Sequence, residues 1–320
     1  MARGRRAPAV GRLVPPGPSD ADFHAHTSRS DGLLTPPELA AAARAAGVRT
    51  LAVTDHDSLA GYRELVAPGS APLPEGLVLI PGVEINAVSR IADLPDGELH
   101  VVGLGVDVTD AAFETVLAGQ RARRRERFEI MRARLREAGV PVDAQLDETD
   151  LSGDDSLGRP TLARALIAAG HATSVQDAFA RLVGPGGPGY APRIGLDPVA
   201  SIGAIRAAGG LPILAHFAAA PARQDLLREL MAAGLAGLET HHRSFDAETV
   251  SAMAWVARRL RLVESGGTDF HGDEGSYADA IAETWIPDAV TVAILARLAG
   301  SDRPDGLSGQ GRIAPAELPG

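Results

Sequence analysis

Seven times along this chain a short apolar run gives way to a polar cluster, and apolar residues at helical spacing fill the stretches between. The runs are Ala21 to Phe23, Thr50 to Thr54, Leu77 to Val83, Leu99 to Leu104, Leu211 to Ala215, Leu235 to Glu239 and Leu260 to Glu264. Runs this short, alternating with helical patterns, read as strands joined by helical crossovers. Strand, helix, strand in repetition predicts a parallel sheet, and seven such strands predict a closed or nearly closed α/β barrel. Several helices declare their first turn. Thr35 with Glu38 makes a capping box, Pro36 takes the first helical position, and Gly47 ends the helix. Asp197 before Pro198, Asp246, and Ser174 with Asp177 are comparable starts.

The stretch between the fourth and fifth runs is too long for one crossover. It carries a long helical pattern from about Ala111 to Ala138 and shorter ones after Pro160 and Ser174, and it returns through the Pro/Gly-rich segment Gly184 to Pro192. The organisation expected is a flexible leader (1–19), a barrel (20–106 and 197–300), a small inserted helical subdomain (107–196) and a flexible tail (301–320). With 45% hydrophobic residues, 320 residues suffice for one large core of this kind.

Composition removes several classes of function. Without cysteine there is no disulfide scaffold and no thiolate zinc site, so any metal must be held by nitrogen and oxygen. No run of eighteen apolar residues is present, and no membrane partner is expected. The basic start MARGRRAPAV lacks the apolar segment of a secretory signal, so a cytoplasmic setting is expected. A net charge of −10 argues against long duplex nucleic acid, whereas small anionic substrates remain open. There is no lysine, so every basic side chain is an arginine.

Eight of the nine histidines fall at the ends of runs, which is hard to obtain by chance. His24 and His26 follow the first run, His56 the second and His271 the seventh; His100 opens the fourth, His216 ends the fifth, and His241 and His242 end the sixth. Only His171 lies elsewhere, and it is assigned no role. In a barrel of parallel strands these ends converge on one face. Asp31, Asp55, Asp57, Glu84 and Asp269 fall at the same ends. Neutral imidazoles mixed with ionised carboxylates suit Zn, Mn or Fe(II), and a carboxylate can bridge two ions. The spacing of His24 and His26 puts both rings on one face of a strand end, and Asp269 with His271 repeats it. Gly82, Gly266 and Gly267 are expected to serve tight turns near the metals.

These residues resemble the motifs of the PHP (polymerase and histidinol phosphatase) superfamily of metal-dependent phosphoesterases. Asp22-Phe23-His24-Ala25-His26-Thr27 with Ser30-Asp31-Gly32 is similar to its first motif, and Thr54-Asp55-His56-Asp57 to its second. Pro81-Gly82-Val83-Glu84 with His100 through Gly105 resembles the third, and Gly267-Thr268-Asp269-Phe270-His271-Gly272 the last. The likeness runs from Asp22 to about Asp273. It implies a distorted seven-stranded (β/α) barrel. Within the superfamily the chain looks most like a stand-alone bacterial group that hydrolyses nucleoside 3′,5′-bisphosphates and nucleotide 5′-ends. That group carries a small helical insertion, and Gly158-Arg159-Pro160 followed by Leu162 to Leu166 resembles its characteristic helix.

The resemblance implies two to three divalent cations, Mn2+ foremost, with Zn2+ or Fe2+ as substitutes. His24, His26, Glu84 and Asp269 would hold the first, Asp31, His56 and His271 the second, and Glu84, His100 and His216 the third. Phe217 stands where the family usually has proline, Thr161 where histidine is common, and the strand end Glu239 to Arg243 departs from its pattern. These differences bear on substrate preference more than on catalysis.

The chemistry expected is in-line attack on phosphorus by a water whose pKa the ions lower from about 15.7 toward about 7. Asp55 and Asp57 are candidate orienters of the ligand imidazoles. His241 is a candidate proton donor to the leaving group. The stretch Gln120 to Arg136 reads equally as a solvated face, with Phe113, Leu117, Phe128, Met131 and Leu135 as its packing stripe. The resemblance instead implies that Arg124, Arg125, Arg127 and Arg159 grip a non-reacting phosphate. The substrate expected is thus a small phosphorylated compound, a nucleotide or short RNA end. A histidinol-phosphate phosphatase, an editing exonuclease, a non-catalytic metal-binding scaffold and an amidohydrolase are the competing readings; the last would carry a bridging lysine that this chain lacks.

Overall fold

In the computed structural model, which describes residues 19–89, 97–147, 156–272 and 275–300, the seven strands follow one another around a single sheet in chain order. They are β1 (Ala21–Ala25), β2 (Thr50–Val53), β3 (Val78–Val88), β4 (Glu98–Leu104), β5 (Leu211–Leu214), β6 (Gly237–His242) and β7 (Val263–Gly267). Strand β7 returns to β1: the Asp269 N–H donates to His24 O at 2.8 Å and the His26 N–H to Phe270 O at 3.0 Å. The sheet is therefore nearly closed into an α/β barrel. Apart from Ser19, the leader and tail lie outside the described residues.

The sheet is mixed rather than parallel. Strand β4 runs antiparallel to both β3 and β5, while the other neighbouring pairs are parallel. A parallel return needs a crossover of a dozen residues or more, and residues 89–97 are too few. This reversal puts the beginning of β4, with Glu98 and His100, at the same end of the barrel as the C-terminal ends of the parallel strands. The last two strands also lie two to three residues later than their apolar runs suggested. Leu260 ends a helix, and the Leu235 N–H closes the preceding helix onto Leu230 O.

Eleven helices are described: α1 (Pro36–Ala45), α2 (Ala60–Val66), α3 (Ala111–Glu137), α4 (Asp143–Asp147), α5 (Arg159–Ala168), α6 (Val175–Ala178), α7 (Pro198–Ala207), α8 (Gln224–Ala233), α9 (Ala247–Leu260), α10 (Tyr277–Glu283) and α11 (Asp288–Ala299). The four starts named from the sequence are capped as expected. The Thr35 N–H donates to Glu38, and Ser174, Asp197 and Asp246 accept from Asp177, Ala200 and Thr249 N–H groups.

Alternate residues of six strands, among them Phe23, Ile80, Val102 and Ile213, form an apolar cluster completed by Ile286 and by Val290 and Ile294 of α11. Helix α3 spans two further clusters. Phe113 and Leu117 pack with α7 and the outer face of β3 and β4, whereas Phe128, Met131 and Leu135 join Leu162, Leu166 and Leu182. The second half of α3 is thereby fixed beside the mouth of the barrel, with Arg124 turned toward Asn86 of β3 and Arg127 toward Glu98 of β4. No helix among the described residues is long and apolar enough to cross a membrane.

Candidate metal centre

The site begins with two turns that bring side chains back over the strand ends. Asp55, just after β2, accepts the Thr27 N–H, the Thr27 hydroxyl and the Ser30 hydroxyl, each at 2.7 Å. That clasp shapes the turn after β1 and delivers Asp31. Across the seam Asp22 accepts the Thr268 N–H at 3.0 Å and the Tyr277 hydroxyl at 2.7 Å, fixing the segment that presents Asp269 and His271. Asp57, His216 and Asp269 adopt φ of +51°, +30° and +48°, a region sparsely used by side-chain-bearing residues that recurs at functional sites.

Nine side chains converge from these segments into three groups, within each of which the ligand-capable atoms lie within 4.8 Å of one another. The groups are His24, His26, Glu84 and Asp269; His26, Asp31, His56 and His271; and Glu84, His100 and His216. All nine sequence candidates are thus brought together, and His26 joins two groups. Glu84 sits at the middle. Its Oε2 is 2.8 Å from His56 Nδ1, and its Oε1 is 2.7 Å from His100 Nδ1 and 3.3 Å from His216 Nε2.

These residues fit divalent cations. His24 Nε2, both ring nitrogens of His26, His56 Nδ1, Asp31 Oδ1 and Glu84 Oε2 are buried without a hydrogen-bond partner. Buried polar atoms are normally paired, so a set of orphans that all point inward fits a cation as the missing partner.

The electrostatics agree. Burial works to raise the carboxyls of Asp31, Glu84 and Asp269, but the imidazoles around them hold all three well below the usual range. In return, and against burial, Glu84 pushes His100 up to about 9, while Asp31 and Asp269 push His271 up to about 10. His56 goes the other way, to about 3, because burial outweighs Asp31 and Glu84.

Several expectations need correction. His241 turns away from the groups, with Nε2 3.4 Å from Glu264 and its ring edge-on to Trp285. An irregularity in the β6–β7 register between Glu239 and His241 shifts the facing, and His242 occupies the site side, Nε2 3.6 Å from Asp269 Oδ2. Neither Asp55 nor Asp57 orients an imidazole: Asp55 holds the Thr27–Ser30 turn, and Asp57 Oδ2 accepts from Arg124 Nε at 2.5 Å. Gly266 and Gly267 serve close approach rather than turns. A Cβ on Gly267 would stand 2.3 Å from His24 Cβ, and one on Gly266 2.4 Å from His241 O.

Arg124 is buried against Asp57 and Asn86. Arg124, Arg127 and Arg159 line one pocket with Arg193; Arg125 is half-buried and does not line it. Arg193, Asn86, Glu98, Glu239 and His242 are the site neighbours for which the sequence reading named no role. Asn86 follows Glu84 by two residues on β3 and reaches His100, a strand-period signal that could have found it.

Residues 22–134 match the PHP domain. The chain is 33% identical to the 5′-3′ exoribonuclease Rnm of Salmonella typhimurium over 84% of its own length and 90% of the relative. It is 32% identical to a 3′,5′-nucleoside bisphosphate phosphatase of Chromobacterium violaceum over 79% of its length and 87% of that protein. A crystal structure from Bifidobacterium adolescentis, described as a metal-dependent phosphoesterase, superposes with a TM-score of 0.74 at 31% identity, covering 89% of this chain and 98% of that one. Likeness of this extent makes the chain a member of the PHP family, the metal-dependent phosphoesterases built on this barrel.

Proposed function

We propose that the chain hydrolyses a terminal phosphomonoester of a nucleotide, either a nucleoside 3′,5′-bisphosphate or the 5′-end of a short RNA. Two to three divalent cations, Mn2+ foremost, would be held by His24, His26, Asp31, His56, Glu84, His100, His216, Asp269 and His271. The observation that carries the substrate reading is a set of three arginines, Arg127, Arg159 and Arg193, gathered on the single carboxylate of Glu98 beside those residues. Glu98 lies 3.6 Å from His100 Nε2, 2.8 Å from Arg193 Nε and 3.5 Å from Arg127. Burial and then the neighbouring Arg193 push Arg127 down to about 10, and Glu98 only partly offsets them. Burial and Arg124 likewise depress Arg193. An entering phosphate would relieve both, so Arg127 and Arg193, with Arg159 alongside, are assigned to a second, non-reacting phosphate. The names carried by the Salmonella and Chromobacterium relatives support a nucleotide.

When bound, divalent cations supply a water of lowered pKa and offset charge on the phosphoryl oxygens. The chain's own residues position and protonate. A Cβ on Gly158 would stand 2.9 Å from Asp31 Oδ2, so the segment leading into α5 abuts the nine-residue centre and sets the arginines at a fixed reach from it. His242 replaces His241 as proton donor. Its Nδ1 lies 2.7 Å from Ser244 Oγ, to which a ring N–H can donate, and its Nε2 faces Asp269; as imidazolium the ring would give the Nε2 proton to the leaving oxygen and return to neutral imidazole.

The deciding experiment is phosphate release by chelator-stripped, Mn2+-reconstituted protein. Adenosine 3′,5′-bisphosphate, AMP, histidinol phosphate and a short 5′-phosphorylated RNA would be compared, with Asp269→Ala alongside. Metal-dependent turnover of the bisphosphate or the RNA end, lost in the variant, is expected. Preference for histidinol phosphate, or silence on every substrate despite stoichiometric metal binding, would sink the reading.

A further inference from the structure

The strand end around Glu239 departs from the family pattern, and its carboxylate touches two of the three candidate groups at once. We infer that Glu239 is a positioning residue that holds His24 and His216, members of different groups, in mutual register. The inference rests on the metal centre proposed above but not on its substrate.

Glu239 is buried in β6. Its Oε1 lies 3.1 Å from His24 Nδ1, and its Oε2 accepts the backbone N–H of His216 at 2.6 Å. Each contact does something the site needs. A proton kept on His24 Nδ1 leaves the lone pair on Nε2, which is 3.4 Å from Glu84 and from Asp269 and has no hydrogen-bond partner. His216 sits at φ +30°, a conformation that persists only where neighbours over-determine it, and the bond from its own N–H to Glu239 is one such restraint. None of the described hydrogen bonds or ion pairs of Glu239 reaches Asp31, His56 or His271. Its influence should therefore be selective: the groups containing His24 and His216 depend on it, and the group of His26, Asp31, His56 and His271, none of which it touches in the described bonds, does not.

Glutamine has nearly the same shape but one oxygen. In Glu239→Gln either His24 Nδ1 or the His216 N–H loses its acceptor. Stripped wild-type and variant protein would be titrated with Mn2+ by calorimetry and by metal analysis after gel filtration, with Asp31→Asn as the complementary control. In Glu239→Gln the affinity of the equivalents belonging to His24 and His216 should fall about 10- to 100-fold, while one tight equivalent stays at wild-type affinity. Raised Mn2+ should restore occupancy. Asp31→Asn should show the reverse selection. Should Glu239→Gln fail to fold, Glu239→Asp, which keeps both oxygens on a shorter stem, should show the same selective loss to a smaller degree. Wild-type affinity in either folded variant, equal weakening of every equivalent, or a wild-type protein that binds no Mn2+ would each overturn the inference. Selective loss in a protein inactive on all phosphoesters would overturn the proposed function and leave this inference standing.

Discussion

His242 and His241 are adjacent, yet one faces Asp269 and the other Glu264 and Trp285. The proposed role of His242 predicts a dependence on leaving group. His242→Asn should lower kcat by about 100-fold or more for adenosine 3′,5′-bisphosphate, whose leaving alkoxide needs a proton, and far less for p-nitrophenyl phosphate. Equal losses on both, read by steady-state kinetics, would reduce His242 to a neighbour of Asp269. The pair also shows where single residues stop being readable. His24, His26, Asp31, His56, Glu84, His100, His216, Asp269 and His271 stood out because their side chains are rare at strand ends unless chemistry needs them. The choice between His241 and His242 turned on a local register shift, and a slip of one residue reverses facing without leaving a trace in composition. Glu239 and Glu98 were obscure for a different reason. Each acts by what it touches across the barrel, and ordinary polar residues within strands carry no mark of distant partners.

At the scale of elements, Gly267 sets how closely β7 can approach β1. A methyl group there would stand 2.3 Å from His24 Cβ and 2.6 Å from its backbone nitrogen, neither of which can swing aside. Gly267→Ala should therefore destabilise the protein by ~1–3 kcal/mol, the usual cost of overpacking, and weaken Mn2+ binding by displacing His24. Thermal melting and Mn2+ titration test both parts; wild-type values in each would show slack in the seam. The strands and capped helices were largely readable, since short apolar runs and N-terminal caps are local signals. The reversal of β4 was not. Strand β3 continues past Val83 through Glu84 and Asn86 to Val88, and those two polar residues end the apolar run while the backbone pairing goes on. Had β3 been read to its true end, the short link to β4 would have required a hairpin. The residues that serve the site thus concealed the element that carries them.

For the molecule as a whole, metal and pH act on the same groups, and their signs can be worked out. In metal-free protein His100 and His271, raised to about 9 and about 10, add stability that is fully present below the unfolded value of about 6.5. That contribution is lost as pH climbs through about 9 and then about 10. Asp31, Glu84 and Asp269, all depressed, add stability that is present above about 4 and lost as pH falls. His56, lowered to about 3, loses its contribution as pH falls from about 6.5 through about 3, because the unfolded chain then binds a proton that the folded one refuses. Metal-free protein should therefore melt highest near pH 6.5 and lose stability steadily toward pH 10. Against burial, Glu239, Glu84 and Asp269 also hold His24 well above its usual value. Cations demand neutral imidazoles, so loading at pH 7.5 should expel protons from His24, His100 and His271, about three per molecule, and affinity should rise with pH until those groups have titrated. Calorimetric Mn2+ titrations in buffers of different ionisation enthalpy measure that release, and melting curves with and without chelator measure the stability. A metal-free melting temperature that is flat or rising between pH 7 and 10, or loading without proton release, would mean that neutral imidazoles already fill the centre before any ion arrives. The cluster would then be preorganised for metal rather than held together by its own proton-mediated ion pairs.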